Sequence, residues 1–385
     1  MVSPLASWLA CASPSRTYVV NIVEHSPMPA IAANETCLNF NPSFIPASPT
    51  FNQSGIMLRQ CCGPTCAGHG EANLNLASAR PERIGFAPCD LEGGKCGSPD
   101  PDFNLDPAHD TEDPRAIYYD GHYYMFYYSG FGSVGPGAPD SGVDSGAPVG
   151  HGSLGSGGDP ACSGPLCTVR LAKTQTPLVA ASWKTLQTLP WHRNGCCAMA
   201  PRGQKSYCIW GEGPDPSPGL GIWSTTDIDS GDWSNETWSV APGVRSPLTS
   251  DGLYLLPLGA DQSEIKLEVG THLMKLSSGD WLHFYAAATP GWVAHGNYTA
   301  GYIILDGDDP SRIVQRSQEH VLVPTYAYET LCNGAADCKY RGERKNVIFA
   351  CSATPLAAAD TFRLFFGGGD GNVGTVGSAV VRVQY

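Results

Sequence analysis

A hairpin-containing unit recurs along the 385 residues and constrains the fold more than any other feature. In its clearest copy, residues 116–128, Asp120 and Gly121 stand between two aromatic-rich runs, which is a strong signal for a two-residue β-turn. The four other copies lie at residues 51–61, 200–213, 271–288 and 346–367. Uneven spacing of such units is typical of a propeller with loops of variable length. The pattern predicts an all-β fold, a five-bladed β-propeller.

A third strand is predicted after each hairpin, at residues 84–87, 169–172, 220–223, 301–304 and 377–381. Helical periodicity is nearly absent. A β-sandwich is the alternative architecture, but its turns would recur about every 8–12 residues without the larger period. We expect residues 1–30 to be an N-terminal leader or extension and residues 31–385 to form the propeller. Residues 129–164, rich in Gly, Ser and Pro, are expected to be a loop insertion in one blade.

The cysteine content indicates an oxidising compartment. The chain has 15 cysteines, several in close pairs such as Cys89 and Cys96, without the repeated spacing of zinc ligands. Four N-glycosylation triplets fit the same compartment, at Asn34, Asn52, Asn235 and Asn297. No apolar run is long enough for a transmembrane helix. We therefore expect a secreted, disulfide-bonded glycoprotein that needs no metal or other cofactor.

The formal net charge of −13 narrows the range of partners. A negative field repels phosphate backbones and anionic lipids, so nucleic-acid and membrane binding are disfavoured. A neutral glycan is not repelled by this negative field. The expected partner is an oligosaccharide or polysaccharide, and the sequence leaves the oligomeric state open.

Two acidic clusters precede strand hairpins in different units. The first, residues 112–115, contains Asp113, with Pro114 to fix the backbone and Arg115 to hold a carboxylate. The second, residues 266–272, contains Glu268 and ends at His272, and we expect both Arg115 and His272 to contact the substrate. Carboxylates at equivalent positions in two blades can face each other across the central channel. Glycoside cleavage requires such a pair, one as proton donor and one to activate water.

An ordered set of motifs resembles glycoside hydrolase family 130, the five-bladed propellers that act on β-mannosides. The motifs occupy residues 51–54, 58–59, 112–115, 298–316, 324–329, 346–349 and 366–370. Their order is kept over roughly residues 38–383. The resemblance implies that Asp113 is the general acid and acts through a hydroxyl of the bound sugar. It also implies that Asn52, Arg59 and Asp370 contact that sugar.

Many family members use phosphate, which they hold with basic groups and a Tyr. Arg193, Asn194 and Tyr298 match part of that set. An expected Arg falls near Glu212, and an expected His falls among residues 286–288, which are all Ala. Because a carboxylate repels phosphate, this difference favours hydrolysis with inversion. Glu268 is then the leading general base, and Glu212 is the second choice.

Three other functions stay open. The first is a family-130-type phosphorylase. The second is an arabinosidase or xylosidase like those of family 43, although that family's first-blade Asp is replaced here by Asn41 and Pro42. The third is a propeller that binds glycans without cleaving them. Inverting hydrolysis predicts carboxyl groups about 6.5–9.5 Å apart, or more with a relayed proton.

Overall fold

The structure is a computed structural model. It describes residues 16–32, 37–62, 83–107, 111–129, 168–189, 195–200, 203–211, 219–258, 264–289, 297–330, 346–369 and 374–385. Within these ranges five sheets form a ring. The predicted five-bladed β-propeller is confirmed. No helix in these ranges is long and apolar enough to cross a membrane.

Residues 19–189 contain strand β1 and the strands of blades 1 and 2. Their strands are β1 (Val19–His25), β2 (Cys37–Ile45), β3 (Ser54–Cys62), β4 (Arg83–Cys89), β5 (Thr111–Tyr119), β6 (His122–Ser129), β7 (Thr168–Thr174) and β8 (Lys184–Leu189). A short 3-10 helix, Ala180–Ser182, precedes β8. Blade 1 has the order β2-β3-β4, and blade 2 has the order β5-β6-β7-β8.

Blades 3 and 4 share the next stretch of chain. Their strands are β9 (Gly195–Ala198), β10 (Ser206–Trp210), β11 (Leu220–Thr225), β12 (Ser234–Asn235), β13 (Ser239–Val240), β14 (Tyr254–Leu255), β15 (Lys266–Glu268), β16 (Met274–Lys275), β17 (Trp281–Ala288), β18 (Tyr298–Leu305) and β19 (Arg312–Arg316). Blade 3 has the order β9-β10-β11-β12, with β14 also paired to β11. Blade 4 has the order β15-β17-β18-β19-β13, with β16 also paired to β17.

Blade 5 joins the two ends of the chain. A short helix, α1 (Ala327–Thr330), precedes β20 (Ile348–Pro355), β21 (Thr361–Gly368) and β22 (Thr375–Gln384). β1 pairs antiparallel with β22 and completes this blade. The segment expected to be a leader or extension therefore contributes a strand, and the propeller begins before residue 31.

The inner strands β2, β5, β9, β15 and β20 begin the five blades. β2 contacts both β5 and β20, and β5 contacts β9. The strands behind them are covered on both faces by neighbouring blades: every residue of β18 is buried, as are all but the first of β6 and β17. A strand buried on both faces has a continuous apolar run in place of alternation. This burial explains why the aromatic-rich runs stand out in the sequence.

The hairpin predicted at residues 120–121 is confirmed. Tyr119 pairs with His122, and both turn residues have positive φ, 47° at Asp120 and 76° at Gly121. Such a turn matches the twist of the two strands it joins.

Candidate functional site

The inner strands of blades 1 and 2 carry equivalent bulges. β2 and β5 each shift register where a polar residue precedes proline, at Asn41 and at Asp113. Their φ angles are 41° and 51°, in the left-handed region. Such a conformation costs on the order of 1–3 kcal/mol in most residues, and Asn and Asp tolerate it best. The strain is retained at two neighbouring polar positions of the inner ring.

Asp113 is the centre of a polar group at these bulges. Its Oδ1 accepts a hydrogen bond of 2.5 Å from Nδ2 of Asn41. Nη1 of Arg59 lies 3.2 Å from Oε2 of Glu112 and 3.8 Å from Oδ1 of Asp113. The side chains of Arg59 and Glu112 are 22% and 20% exposed, but that of Asp113 is only 7% exposed. We call these four residues the Asp113 group, in which Arg59 and Glu112 form the more open side.

A second group surrounds Glu268 at the end of β15. Nζ of Lys266 lies 2.7 Å from Oε1 of Glu268, and the hydroxyl of Tyr298 donates a hydrogen bond to the same oxygen. All three residues are buried. An ammonium and a phenol both stabilise an ionised carboxylate. We call these three residues the Glu268 group.

Arg115 connects the two groups. It follows Asp113 by two residues, and its side chain is fully buried. Its Nε donates to the carbonyl oxygen of Gly270 at 2.8 Å, and its Nη2 donates to that of Val269 at 3.4 Å. A Cβ at Gly270 would lie 2.0 Å from a carbonyl oxygen of β17, so the close approach requires glycine. Arg115 thus binds the segment that directly follows Glu268.

Cys351, on the inner strand β20, is fully buried, and its pKa responds to the charges of both groups. Burial raises the pKa of its thiol to about 12. The positive charge of Arg115 opposes this rise, and the negative charges of Asp113 and Glu268 add to it. Arg115 and the thiol of Cys351 thus connect the acidic residue of blade 2 with that of blade 4.

His272 has a different environment from the one expected of a sugar ligand. Its Nδ1 accepts the backbone N–H of Cys197 at 2.9 Å, which ties blade 4 to β9 of blade 3. Burial, together with the charge of Arg115, lowers the pKa of His272 to about 4. The imidazole is therefore neutral at pH 7. The structure shows a contact between blades for this residue, which was predicted to bind substrate.

Asn52 is not brought to the Asp113 group. It is exposed in the loop between β2 and β3, beyond the pairing of Ile45 with Gly55. Arg59 lies five residues into β3 from Ser54, which is on the order of 17 Å along an extended strand. The asparagine that contacts Asp113 is Asn41.

Several predicted residues lie outside the part of the chain that the structure describes. Those outside the described residues are Arg193, Asn194, Glu212 and Asp370, together with residues 130–164 of the expected loop insertion. Among the predicted residues that are described, Arg59, Asp113 and Arg115 lie together, as do Glu268 and Tyr298.

Sequence reasoning missed two residues of the site. Asn41 was noted only as a departure from another family, although its Asn-Pro pair repeats the Asp-Pro pair at Asp113. Lys266 begins the second acidic cluster, but the sequence pattern assigned it no role. A lysine two residues from a glutamate lies on the same side of a strand, and that spacing was the available signal.

The Asp113 group, the Glu268 group and Arg115 together contain equal numbers of cationic and carboxyl side chains. Three cationic side chains, Arg59, Arg115 and Lys266, accompany three carboxylates, Glu112, Asp113 and Glu268. Within the described ranges, no three His, Cys, Asp or Glu side chains are grouped as metal ligands would be. The arrangement offers fixed carboxylates for proton transfer, with hydrogen-bond donors beside each.

The comparisons with known proteins agree with this architecture. A family model described as beta-1,4-mannooligosaccharide phosphorylase, of glycoside hydrolase family 130, matches residues 256–383. The resemblance to glycoside hydrolase family 130 is confirmed. The matched residues contain the whole Glu268 group and the motif at 298–316. Members of family 130 act on β-mannosidic linkages.

One curated relative is similar over part of its length. The 1,2-beta-oligomannan phosphorylase of Thermoanaerobacter sp. (strain X514) is 28% identical over 120 residues. The match covers 31% of this chain and spans about a third of that phosphorylase, 35%.

Solved structures of family 130 share the fold over most of the chain. The beta-1,2-mannobiose phosphorylase from Listeria innocua, in complex with beta-1,2-mannobiose, has a TM-score of 0.57 at 15% identity, covering 93% of this chain and 96% of that chain. A family 130 structure from work on hydrolases that target beta-1,2 mannosidic linkages in Candida mannan also has a TM-score of 0.57 at 15% identity. It covers 91% of this chain and 85% of that chain. At this identity the likeness concerns the fold alone.

Proposed function

We propose that the protein is an inverting glycoside hydrolase that cleaves a β-mannoside, with Asp113 as the general acid. The observation that carries the proposal is the setting of Asp113. A strained bulge and the amide of Asn41 fix its carboxyl group beside the more open Arg59 and Glu112. A catalytic acid must be held in place relative to the bond it protonates, and this environment provides that constraint.

Glu268 is the proposed general base. Ion pairing with Lys266 and the hydrogen bond from Tyr298 hold its carboxyl group in place, as a base that activates water requires. Lys266 and Tyr298 both contact Oε1 of Glu268, so substrate must loosen these contacts before that oxygen accepts a proton. The contribution of Glu212 as a second base is an alternative within this proposal.

Charge balance supports water as the attacking group. A phosphate dianion is stabilised by a large excess of positive charge, but with Asp113 protonated as the general acid the three described cations exceed the two remaining carboxylates by only one. Water needs no such excess. The proposed reaction uses neither metal nor organic cofactor, and its substrate is a β-linked manno-oligosaccharide or a related glycan.

Phosphorolysis is the second candidate, and one observation favours it. Lys266 and Tyr298 place an ammonium and a hydroxyl beside each other, and both are groups that bind phosphate oxygens. The relatives described above include phosphorylases. In this alternative, phosphate would replace Glu268 as the partner of Lys266.

One experiment distinguishes these reactions. The full-length protein is incubated with β-1,2- and β-1,4-mannobiose, with and without inorganic phosphate, and the products are followed by proton NMR. Inverting hydrolysis yields mannose that appears first as the α-anomer, at a rate independent of phosphate. Formation of α-mannose 1-phosphate only when phosphate is present would replace hydrolysis with phosphorolysis. Absence of turnover under both conditions, with a wider glycan panel bound but intact, would overturn both and favour a binding protein.

Secretion is part of the proposal. Cys89 and Cys96 form a disulfide, and Cys37 and Cys61 are also disulfide-bonded, as expected for an oxidising compartment. Asn235 is exposed and available for glycosylation. Expression in eukaryotic cells should deliver oxidised protein to the medium, with a mass that falls when N-glycans are removed. Retention inside the cells as a reduced, unglycosylated protein would contradict secretion.

A further inference from the structure

Four cysteines in the described residues are free and buried, and three of them lie in blade 3. Cys196 and Cys197 are on β9, and Cys208 is on the neighbouring strand β10. The proposed mechanism uses none of these thiols. Two of the three are direct cross-strand neighbours, because Cys197 pairs with Cys208 in the antiparallel register.

The hydrogen bonding of Cys197 defines the geometry of this pair. Its backbone N–H donates to Nδ1 of His272, in blade 4, and so points away from β10. In an antiparallel sheet, a residue whose N–H points away from the partner strand belongs to a non-hydrogen-bonded pair. Such pairs have Cα atoms about 4.5 Å apart and the closest side chains of the ladder. This separation is within the range of about 4.4–6.8 Å that a disulfide bridges.

The faces of the strands select the partner of Cys208. Cys197 and Cys208 lie in the same apolar cluster, together with Trp210. Cys196 faces the opposite side of the sheet, where its Sγ lies 3.7 Å from Nδ1 of His283. Successive side chains of a strand point to opposite faces, so Cys196 cannot reach Cys208 without a shift of β9.

We propose that Cys197 and Cys208 form a cross-strand disulfide when the chain folds in an oxidising compartment. One thiolate attacks a small-molecule disulfide such as oxidised glutathione, releasing one thiol and forming a mixed disulfide. The second thiolate then attacks the protein sulfur and releases the other small thiol. The two cysteines lose two protons and two electrons in total, and the oxidant gains them.

The bond forms before blade 3 is fully packed. Both side chains have no exposure in the folded protein, so an oxidant cannot reach them there. Burial also raises the pKa of both thiols, which leaves them unreactive once folded. The compartment in which the chain folds therefore sets the redox state of the pair. The disulfide would link β10 to the inner strand β9, whose Cys197 N–H donates to His272.

The test is a disulfide map of the full-length protein secreted from eukaryotic cells. Free thiols are blocked with N-ethylmaleimide in denaturant, N-glycans are removed, and the chain is digested with trypsin without reduction. Cleavage after Arg202 and Lys205 separates Cys197 from Cys208, so their disulfide appears as two linked peptides. Cleavage after Lys95 does the same for Cys89 and Cys96, whose disulfide is the internal control for oxidation.

The expected result is a linked pair of peptides covering residues 194–202 and 206–245, with one blocked thiol on the first. Cys197→Ser should abolish the link, and the matched control Cys196→Ser should keep it. Two blocked thiols at Cys196 and Cys197, with Cys208 also blocked and the control disulfide intact, would overturn the proposal. A link that survives Cys197→Ser would overturn it as well. If Cys197→Ser fails to fold, tandem mass spectrometry of the wild-type linked peptides identifies the bonded cysteine.

Discussion

Replacing Arg115 with methionine tests whether the two acidic groups depend on one buried side chain. Methionine fills similar space but cannot donate to the carbonyl oxygens of Val269 and Gly270. Both acceptors would remain in a buried region without this donor. The segment that follows Glu268 would then lose its connection to β5, and with it the fixed position of Glu268 relative to Asp113.

The magnitude follows from these two bonds. Hydrogen bonds to charged groups contribute about 1.5–3 kcal/mol each, and the longer bond to Val269 lies at the low end. We therefore expect the free energy of unfolding to fall by about 3–5 kcal/mol. An unfolding entropy of about 2.1 cal/mol/K per residue gives about 0.8 kcal/mol/K for 385 residues. The melting temperature should fall by about 4–6 °C.

Differential scanning calorimetry and kcat/KM on β-mannobiose measure the two consequences. Activity should fall on the order of 10²-fold at a temperature where the variant is folded, because a small displacement of catalytic groups has that effect. The matched control is Arg312→Met, since Arg312 is 45% exposed and pairs with Asp306 at the surface. The control should shift the melting temperature by about 1 °C or less. If Arg115→Met shifted it no more than the control, the inferred connection would be refuted.

Three further predictions concern neighbouring side chains. Asn41→Ala should lower kcat about 10-fold with little change in KM, because Asp113 loses the amide that orients it; unchanged kinetics would contradict this role. Lys266→Met should destabilise the protein by about 3–5 kcal/mol in thermal denaturation, since it leaves the carboxylate of Glu268 buried without its ammonium, whereas the exposed Lys205→Met should cost about 1 kcal/mol or less. Burial lowers the pKa of His272 from 6.5 to about 4, so the unfolded chain binds a proton there that the folded protein excludes between these pH values. Stability should fall as pH drops from about 6.5 to 4, by on the order of 3 kcal/mol from this residue, and His272→Gln should show a weaker pH dependence of melting temperature than the parent.

The fold could be predicted from the sequence where strands are buried on both faces. β6, with aromatic residues along its length and an Asp-Gly turn before it, is an example. The inner strand β2 was missed because Asn39, Asn41 and Ser43 interrupt its apolar pattern, and Pro42 argues against a strand. A bulge accommodates that proline. β1 was missed because its pairing with β22 depends on the opposite end of the chain.

The site was predictable only where blades repeat each other. Asp113 and Glu268 occupy comparable positions before strand hairpins, and that equivalence predicted both as catalytic residues. The location of Asn52 was not predictable in this way. The match of Phe51 and Asn52 to a family motif does not indicate at which end of a hairpin Asn52 lies. The interblade role of His272 was equally inaccessible, because its partner is a backbone N–H in another blade.

The most direct test of the central claim is kcat/KM of Asp113→Asn on a β-mannoside, measured beside Asp120→Asn. Asparagine tolerates the left-handed backbone at both positions, so both variants should keep the parent melting temperature. Asp120 lies in an exposed turn and serves as the matched control. The account predicts that Asp113→Asn loses on the order of 10²–10⁴-fold in kcat/KM while Asp120→Asn retains full activity. Full activity of Asp113→Asn would contradict it.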